Sequence, residues 1–217
     1  AVWDEENRFR SIISAEVALA VAEARTGIIP EADARAIEDR AHTASLERAK
    51  AIEEEINHDM MAVVRAMSEV CGDAGRWVHY GATSNDILDT ATGLQLRESL
   101  AILETKIKIL LGVLLDRSVE TKHVVCAGRT HGQIGVPTTY GLRFAIWASE
   151  VARHLDRLRE MRPRVAVGQM TGAVGTQASL GDKGDKVMAE MMNYLDLTPV
   201  DVSNQIIQRD RFAEYIM

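Results

Sequence analysis

A histidine within a glycine-rich segment is the residue of this sequence best suited to proton transfer. His131 lies in residues 128–141, GRTHGQIGVPTTYG, which contain four glycines and Pro137. Glycine allows a backbone to turn tightly and to approach a ligand, and proline suits the first position of a helix. The segment therefore predicts a rigid turn that opens a helix at Pro137. It holds a candidate general acid, because imidazole titrates near neutral pH. A histidine that only caps local backbone groups is the alternative.

A second candidate site is a run of hydroxyl and amide side chains at the start of a long helical pattern. Thr83, Ser84 and Asn85 are residue types that favour the first position of a helix. The free N–H groups and the positive dipole at a helix N-terminus attract anions. Thr83 and Ser84 add hydroxyl donors, so this position would suit a carboxylate or a phosphate. An ordinary helix cap is the alternative.

Three polar residues interrupt another helical pattern, which begins at Ser45. Asn57, His58 and Asp59 occupy the middle of this run. Asn and Asp are unfavourable inside helices and favourable as caps. The segment is therefore either a bend between two helices, which would expose His58, or a polar stripe on one continuous helix.

Helices are predicted to position all of these residues, because apolar side chains recur at spacings of three and four. The predicted helices begin at Asp4, Glu31, Ser45, Asn85, Pro137, Asp182 and Ser203. The first six end near residues 27, 40, 72, 122, 161 and 195, and the helical pattern of the last continues to Met217. With only four prolines and 5% aromatic residues, the sequence indicates an all-α fold class. We expect a small N-terminal helical domain over residues 1–84. It is followed by part of a long-helix bundle over residues 85–217, incomplete at its C-terminal end.

The helix predicted to begin at Asn85 is apolar on more than one face. A seam at alternating spacings of four and three consists of Leu96, Leu100, Leu103, Ile107, Leu110 and Leu114. Further leucines, isoleucines and valines occupy other faces of the same helix. So short a chain cannot bury such a helix alone. We expect it to be buried against other subunits.

Composition excludes several classes of protein. A net charge of −7 argues against a general nucleic-acid binder. No apolar run free of charges is long enough to span a membrane, and the acidic first residues do not resemble a signal peptide. The two cysteines, Cys71 and Cys126, have no metal-ligand spacing and indicate no disulfide framework. A reduced, cytoplasmic setting is expected.

Three separated motifs resemble one enzyme family. Residues 79–91, HYGATSNDILDTA, resemble the first conserved region of the fumarase/aspartase superfamily. Residues 128–141 resemble the second region, in the form found in adenylosuccinate lyases. Residues 172–175, GAVG, and residues 204–211, NQIIQRDR, are also similar to that family. The resemblance covers nearly the whole chain.

Two features of the family are missing from the sequence. The signature loop with the serine base would follow Met217, and an Arg-Tyr pair that helps to hold the substrate phosphate would precede Ala1. The sequence is therefore expected to be a fragment, or the ordered part of a longer chain. The 217-residue piece alone is expected to have no lyase activity.

The resemblance implies a carbon–nitrogen lyase that converts adenylosuccinate to AMP and fumarate and treats the succinyl-carboxamide intermediate of purine synthesis in the same way. His131 would be the general acid and His79 would orient it. The residues at the family's substrate-binding positions fall into three groups. By resemblance, Asn57, His58 and Asp59 would bind the phosphate and ribose. Thr83, Ser84 and Gln205 would bind the succinyl part, and Thr130 would bind beside the acid. The family implies no metal or cofactor, and a homotetramer whose active sites are shared between subunits.

Other readings of the motifs stay open at this point. Another lyase or cycloisomerase of the superfamily, such as argininosuccinate lyase or carboxymuconate cycloisomerase, would share the fold. The cycloisomerase usually lacks a histidine at the position of His131, which favours the purine enzyme. A non-catalytic helical assembly protein would explain the apolar seam. A metal site built from His58, Asp59, His79 and His131 is disfavoured, because no two of these histidines have the four-residue spacing of a helical zinc site.

Overall fold

The computed structural model describes all 217 residues and is predominantly helical. Its helices are α1 (Glu5–Arg25), α2 (Glu31–Arg40), α3 (Leu46–Ile56), α4 (Asp59–Cys71), α5 (Ser84–Glu120), α6 (Tyr140–Val165), α7 (Gly184–Leu195) and α8 (Asp210–Ile216). Its strands are β1 (Val125–Thr130), β2 (Gln133–Thr139), β3 (Val167–Gly168) and β4 (Thr198–Pro199). Short 3₁₀ turns lie at Ala41–Thr43, Gly72–Trp77 and Gly181–Lys183. The predicted all-α class is confirmed.

Side-chain caps fix the starts of α1 and α3, where the sequence predicts helices to begin. The Asp4 carboxylate accepts the N–H of Asn7 at 2.8 Å and begins α1. The Ser45 hydroxyl accepts the N–H of Arg48 at 3.2 Å and begins α3. Each bond satisfies one of the backbone donors that a helix N-terminus leaves free.

The chain divides into two compact units. The first comprises residues 1–98 and 163–217, and the second comprises residues 99–162. Helices α5 and α6 each contribute residues to both units. The domain boundaries predicted from sequence, residues 1–84 and 85–217, stay a prediction.

The first unit is built around α1. This helix packs against α2, α4 and α7, and α3 packs against α4. Most core side chains are aliphatic or methionine, with Phe9 and Cys71 among them. The largest apolar side chains that are fully buried are Leu19, Ile37, Met60, Met67, Ile87, Met170, Met191, Met192 and Ile207. After α6, strand β3 pairs in parallel with β4, with Val167 opposite Thr198.

The second unit contains a hairpin where the sequence predicts a helix start. Strand β1 pairs antiparallel with β2, and Ala127 lies opposite Pro137. The prediction that Pro137 begins a helix is therefore wrong, because β-branched residues in this segment favour extended backbone and proline is tolerated in an edge strand. Helix α6 begins at Tyr140 and continues through Pro163, which lies in its last turn and only removes one N–H bond there.

The predicted start of the last helix, at Ser203, is also wrong. Residues 201–209 are irregular, and α8 begins only at Asp210. Side chains from α5 and from the segment after α6 take the hydrogen bonds that a helix would have supplied, as described below. The helix predicted to begin at Asp182 is confirmed within two residues as α7. No helix in the structure combines the length and the apolar character needed to cross a membrane.

Candidate active site

The loop that precedes α5 contains His79, Thr83 and Ser84. His79 and Gly81 both have positive φ, 65° and 69°, a conformation that is strained for histidine and easy for glycine. A Cβ on Gly81 would also lie 2.8 Å from the Leu180 side chain. The buried Glu16 of α1 holds His79 in place through two hydrogen bonds. The His79 N–H donates to Oε2 at 3.0 Å, and its ring Nδ1 lies 2.6 Å from Oε1.

Thr83 caps α5 together with Asp86. The N–H of Thr83 donates to Asp86 Oδ2 at 3.0 Å, and the N–H of Asp86 donates to the Thr83 carbonyl at 3.0 Å. Asp86 is fully buried, whereas Thr83 and Ser84 are half-buried. The Asp86 carboxylate binds the backbone N–H of Thr83 and not its hydroxyl. The hydroxyls of Thr83 and Ser84 have no protein partner, so they can donate to an anion at this helix end.

The first turns of α5 also bind a glycine-containing loop. Asp86 accepts the N–H of Thr171 at 2.9 Å and the N–H of Gly172 at 3.0 Å. One turn later, the Thr90 hydroxyl accepts the N–H of Gln169 at 3.0 Å. Residues 169–172 are thus fixed to the start of α5 by buried hydrogen bonds.

The irregular segment that carries Gln205 is held by the same helix. Asp89 accepts the N–H of Ile207 at 2.9 Å and the Arg209 guanidinium at 2.9 Å. The Gln169 amide donates to the Gln205 carbonyl at 2.8 Å and accepts the Ser203 hydroxyl. The Gln205 side chain itself is exposed. The structure therefore anchors the Gln205 backbone to the elements that hold Thr83 and leaves its side chain free.

The junction of α3 and α4 carries Asn57, His58 and Asp59, and all three are exposed. Asn57 is left-handed, with φ of 52°, and ends α3. His58 begins α4, and its Nδ1 accepts the N–H of Met61 at 3.3 Å. The bend between two helices is the correct alternative for this segment. Because Nδ1 accepts a bond, the Nε2 of His58 is the nitrogen left for a ligand.

His131 and Thr130 lie in the second unit, at the tip of the β1–β2 hairpin. His131 and Gly132 have φ of 50° and 75° and connect Thr130 to its strand partner Gln133. Positive φ at both central residues is the pattern of the tight turns that join two antiparallel strands. The His131 side chain is exposed and caps no backbone group. The alternative that His131 only caps local backbone groups is therefore wrong.

Two buried carboxyl groups lie on one face of α1, two turns apart. Glu16 accepts both bonds from His79, whereas neither oxygen of Glu23 has a hydrogen-bond partner. Burial and the charge of Glu16 raise the pKa of Glu23 to about 9. Burial alone would lower the pKa of His79, but the hydrogen bond and charge of Glu16, with the charge of Asp86, outweigh it and raise that pKa above its usual value.

Sequence reasoning missed Glu16, Asp86 and Asp89. Glu16 lies among apolar residues on the buried face of α1, and a charged residue on such a face is the signal that could have identified it. From the sequence, Asp86 and Asp89 are only acidic residues in the first turns of a helix, and their long-range partners are not predicted. No group of three or more His, Cys, Asp or Glu side chains lies close enough together to hold a metal ion.

Comparison with known proteins places this architecture among lyases. The sequence profile of a family described as lyase matches residues 1–217. An adenylosuccinate lyase from Methanocaldococcus jannaschii is 51% identical over 218 residues, which cover 99% of this chain and 47% of the relative. An adenylosuccinate lyase from Archaeoglobus fulgidus is 53% identical over 215 residues, which cover 99% of this chain and 48% of the relative.

A solved structure agrees with the sequence comparison. The crystal structure of a fumarate lyase from Mesorhizobium sp. BNC1 is similar with a TM-score of 0.92 and 36% identity. The match covers 99% of this chain and 51% of that chain. The chain thus spans about half the length of the curated relatives it matches.

Proposed function

This chain belongs to the lyase family, and we propose that the protein cleaves the C–N bond of adenylosuccinate to give AMP and fumarate. The observation that carries the proposal is identity of 51% and 53% to two adenylosuccinate lyases across 99% of this chain. The same reaction type would apply to the succinyl-carboxamide intermediate of purine synthesis, whose succinyl group is also joined to nitrogen.

The reaction is an elimination that needs a base, an acid and a site for a carboxylate. The base removes the proton beside a carboxylate of the succinyl group, and negative charge builds on that carboxylate. The C–N bond then breaks, its electron pair goes to the purine nitrogen, and this nitrogen gains a proton. Preorganised donors near the carboxylate lower the barrier, because they act on charge that grows in the transition state.

We assign the carboxylate site to Thr83 and Ser84. Their hydroxyls are half-buried at the N-terminus of a helix of 37 residues. The Asp86 cap and the Glu16–His79 bonds fix this loop on both sides. Such rigid donors need little reorganisation during the reaction. The exposed Gln205 amide would add a contact to the succinyl part.

We assign proton delivery to His131, with His79 as the residue that orients it and Thr130 as a neighbouring substrate contact. The exposed position of His131 at a hairpin tip supports this role, since its imidazole is not consumed by a structural bond. Asn57, His58 and Asp59 would bind the phosphate and ribose. Their exposure at the α3–α4 junction, and the free Nε2 of His58, support binding of a polar group.

We further propose that the protein is a cytoplasmic homotetramer with active sites shared between subunits. The second unit supports this proposal, because many of its large apolar side chains are exposed. They include Ile109, Leu110, Val113, Leu115, Val119, Ile134, Val136, Leu142, Ile146 and Trp147. Exposed apolar surface of this extent is typical of an interaction site. In a tetramer, the other subunits would cover these side chains.

The function is tested with full-length protein and three substrates in parallel. Adenylosuccinate, argininosuccinate and carboxymuconate are supplied separately, and the products are quantified by chromatography. We expect AMP and fumarate in equal amounts from adenylosuccinate and no turnover of the other two. Turnover of argininosuccinate or carboxymuconate instead would assign the chain to another branch. Absence of both turnover and nucleotide binding would favour a non-catalytic assembly protein.

A further inference from the structure

The contact between Glu16 and His79 joins two residues that are 63 positions apart in the sequence. The Glu16 side chain is fully buried, and only 12% of the His79 side chain is exposed. Both Glu16 oxygens are used, one by the His79 backbone N–H and the other by the ring Nδ1. The same carboxylate thus holds the strained backbone of His79 and the orientation of its ring.

The hydrogen-bond pattern determines which ring nitrogen carries the proton. Since a carboxylate oxygen only accepts, Nδ1 of His79 must donate to Glu16. Neutral His79 therefore carries its proton on Nδ1 and presents an unprotonated Nε2. Protonated His79 presents an Nε2–H donor instead. In both states Nε2 is the nitrogen available to other groups.

The surrounding charges leave Glu16 as the dominant partner of this histidine. The charged groups that act on His79 are Glu16 from α1 and Asp86 from α5. Asp86 already accepts backbone N–H groups from Thr83, Thr171 and Gly172. Glu23, further along the same face of α1, keeps its proton at neutral pH because burial and the charge of Glu16 raise its pKa to about 9.

We propose that Glu16 is a positioning residue for the reaction: it holds His79 with Nδ1 protonated and Nε2 available to the group that His79 orients, and it fixes the loop that begins α5. The role resembles that of a carboxylate that orients a histidine in other enzymes. It rests on the proposed function for the identity of the reaction, but the protonation state of His79 does not depend on that function.

The first experiment locates the proton directly. Full-length protein with ¹⁵N-labelled histidine is studied by solid-state NMR across a pH series, and the His79 signals are identified by their loss in His79→Gln. We expect neutral His79 to show a protonated Nδ1 and an unprotonated Nε2. A neutral His79 with its proton on Nε2 would overturn the proposal, and this result requires no Glu16 variant.

The second measurement uses Glu16→Gln with Glu23→Gln as its matched control. A glutamine offers one acceptor where His79 needs two, so the variant must lose the backbone bond or the Nδ1 bond. We expect the His79 titration midpoint to fall in Glu16→Gln, because the variant removes the charge and the hydrogen bond of Glu16 that raise the pKa of His79. It should stay at the wild-type value in Glu23→Gln, which changes a buried carboxyl group on the same helix without touching His79. An unchanged midpoint in both variants would contradict the role of Glu16.

Kinetics then connect the contact to catalysis. With adenylosuccinate, Glu16→Gln should lower kcat/KM by roughly tenfold or more, whereas Glu23→Gln should retain it. In a His79→Gln background, Glu16→Gln should cause no comparable further loss, because both residues act as one unit. Full and independent losses from the two substitutions would assign Glu16 a structural role only. A wild type without lyase activity would refute the proposed function while the NMR result stands.

Discussion

The Asp86 carboxylate accepts the Thr83 N–H at 3.0 Å and, with its two oxygens, the N–H groups of Thr171 and Gly172. One buried side chain therefore closes the first turn of α5 and ties a distant loop to it. Thr83, the proposed carboxylate-binding residue, depends on Asp86 for its backbone position.

Asp86→Asn should destabilise the first unit. Asparagine has one acceptor oxygen, so buried N–H groups that the carboxylate satisfied would lose their partners. Each buried unsatisfied donor costs about 1–3 kcal/mol, and we expect the free energy of unfolding to fall by about 2–4 kcal/mol. Urea unfolding followed by circular dichroism measures the change.

Asp185→Asn is the matched control for Asp86→Asn. Asp185 also lies in the first turn of a helix, α7, but it is exposed. Its substitution should change the free energy of unfolding by no more than about 0.5 kcal/mol. Equal effects of the two substitutions would mean that the Asp86 network adds nothing to an ordinary helix-dipole contribution.

Glu23 should make the stability of the protein depend on pH. Its pKa is about 9 in the folded state, against 4.5 in the unfolded chain. Between these values the unfolded state has lost a proton that the folded state keeps, so stability falls as pH rises. The slope is about 1.4 kcal/mol per pH unit, which gives roughly 3 kcal/mol between pH 6 and pH 8.

Glu23→Gln removes this ionisation and should flatten the pH dependence. The variant should match wild type near pH 5 and exceed it in stability at pH 8. Thermal unfolding at a series of pH values compares the two proteins. Parallel curves for variant and wild type would show that Glu23 titrates equally in both states.

The sequence predicted helix caps well and long-range contacts poorly. Asp4 and Ser45 each cap a helix by accepting the N–H of the residue three positions later. Such local bonds can be predicted from a short stretch of sequence. The Glu16–His79 bond spans 63 positions, so only the packed fold brings the two residues together. Residues 201–209 misled the helix prediction for the same reason, because Asp89 and Gln169, far away in sequence, bind their backbone.

The candidate site shows the same contrast between local and long-range features. Residue type and motif predict His58, Thr83 and His131 as site residues, and their roles stay predictions. The hairpin that carries His131 was missed, since Gly132 and Pro137 suit a turn before a helix as well as a turn between two strands. Pairing with residues 125–130 selects the turn between two strands. The local sequence pattern does not predict this pairing.

Assembly should depend on the exposed apolar part of α5. Ile109 is 64% exposed, and a lysine at this position would bring a charge into any subunit interface that covers it. We expect wild-type protein to sediment as a tetramer at micromolar concentration and Ile109→Lys to dissociate. Lys106→Gln, on an exposed residue of the same helix, should remain a tetramer. A stable wild-type monomer would refute the proposed assembly.

The last prediction separates the roles of three site residues through His131→Gln, His58→Gln and Thr83→Ala in full-length protein. If His131 delivers the proton to the leaving nitrogen, His131→Gln should lower kcat by about 10²–10⁴ while substrate still binds. His58→Gln should weaken nucleotide binding and leave kcat largely intact, because its proposed partner is a phosphate that does not react.

Thr83→Ala should impair both binding and kcat, since the carboxylate that Thr83 contacts is bound in the ground state and gains charge in the transition state. Steady-state kinetics, combined with direct titration of adenylosuccinate, resolve the three patterns. His154→Gln serves as control, because His154 is an exposed histidine of α6 outside the proposed site, and it should behave as wild type. A near-normal kcat in His131→Gln would remove His131 from the acid role and require another donor for the leaving nitrogen.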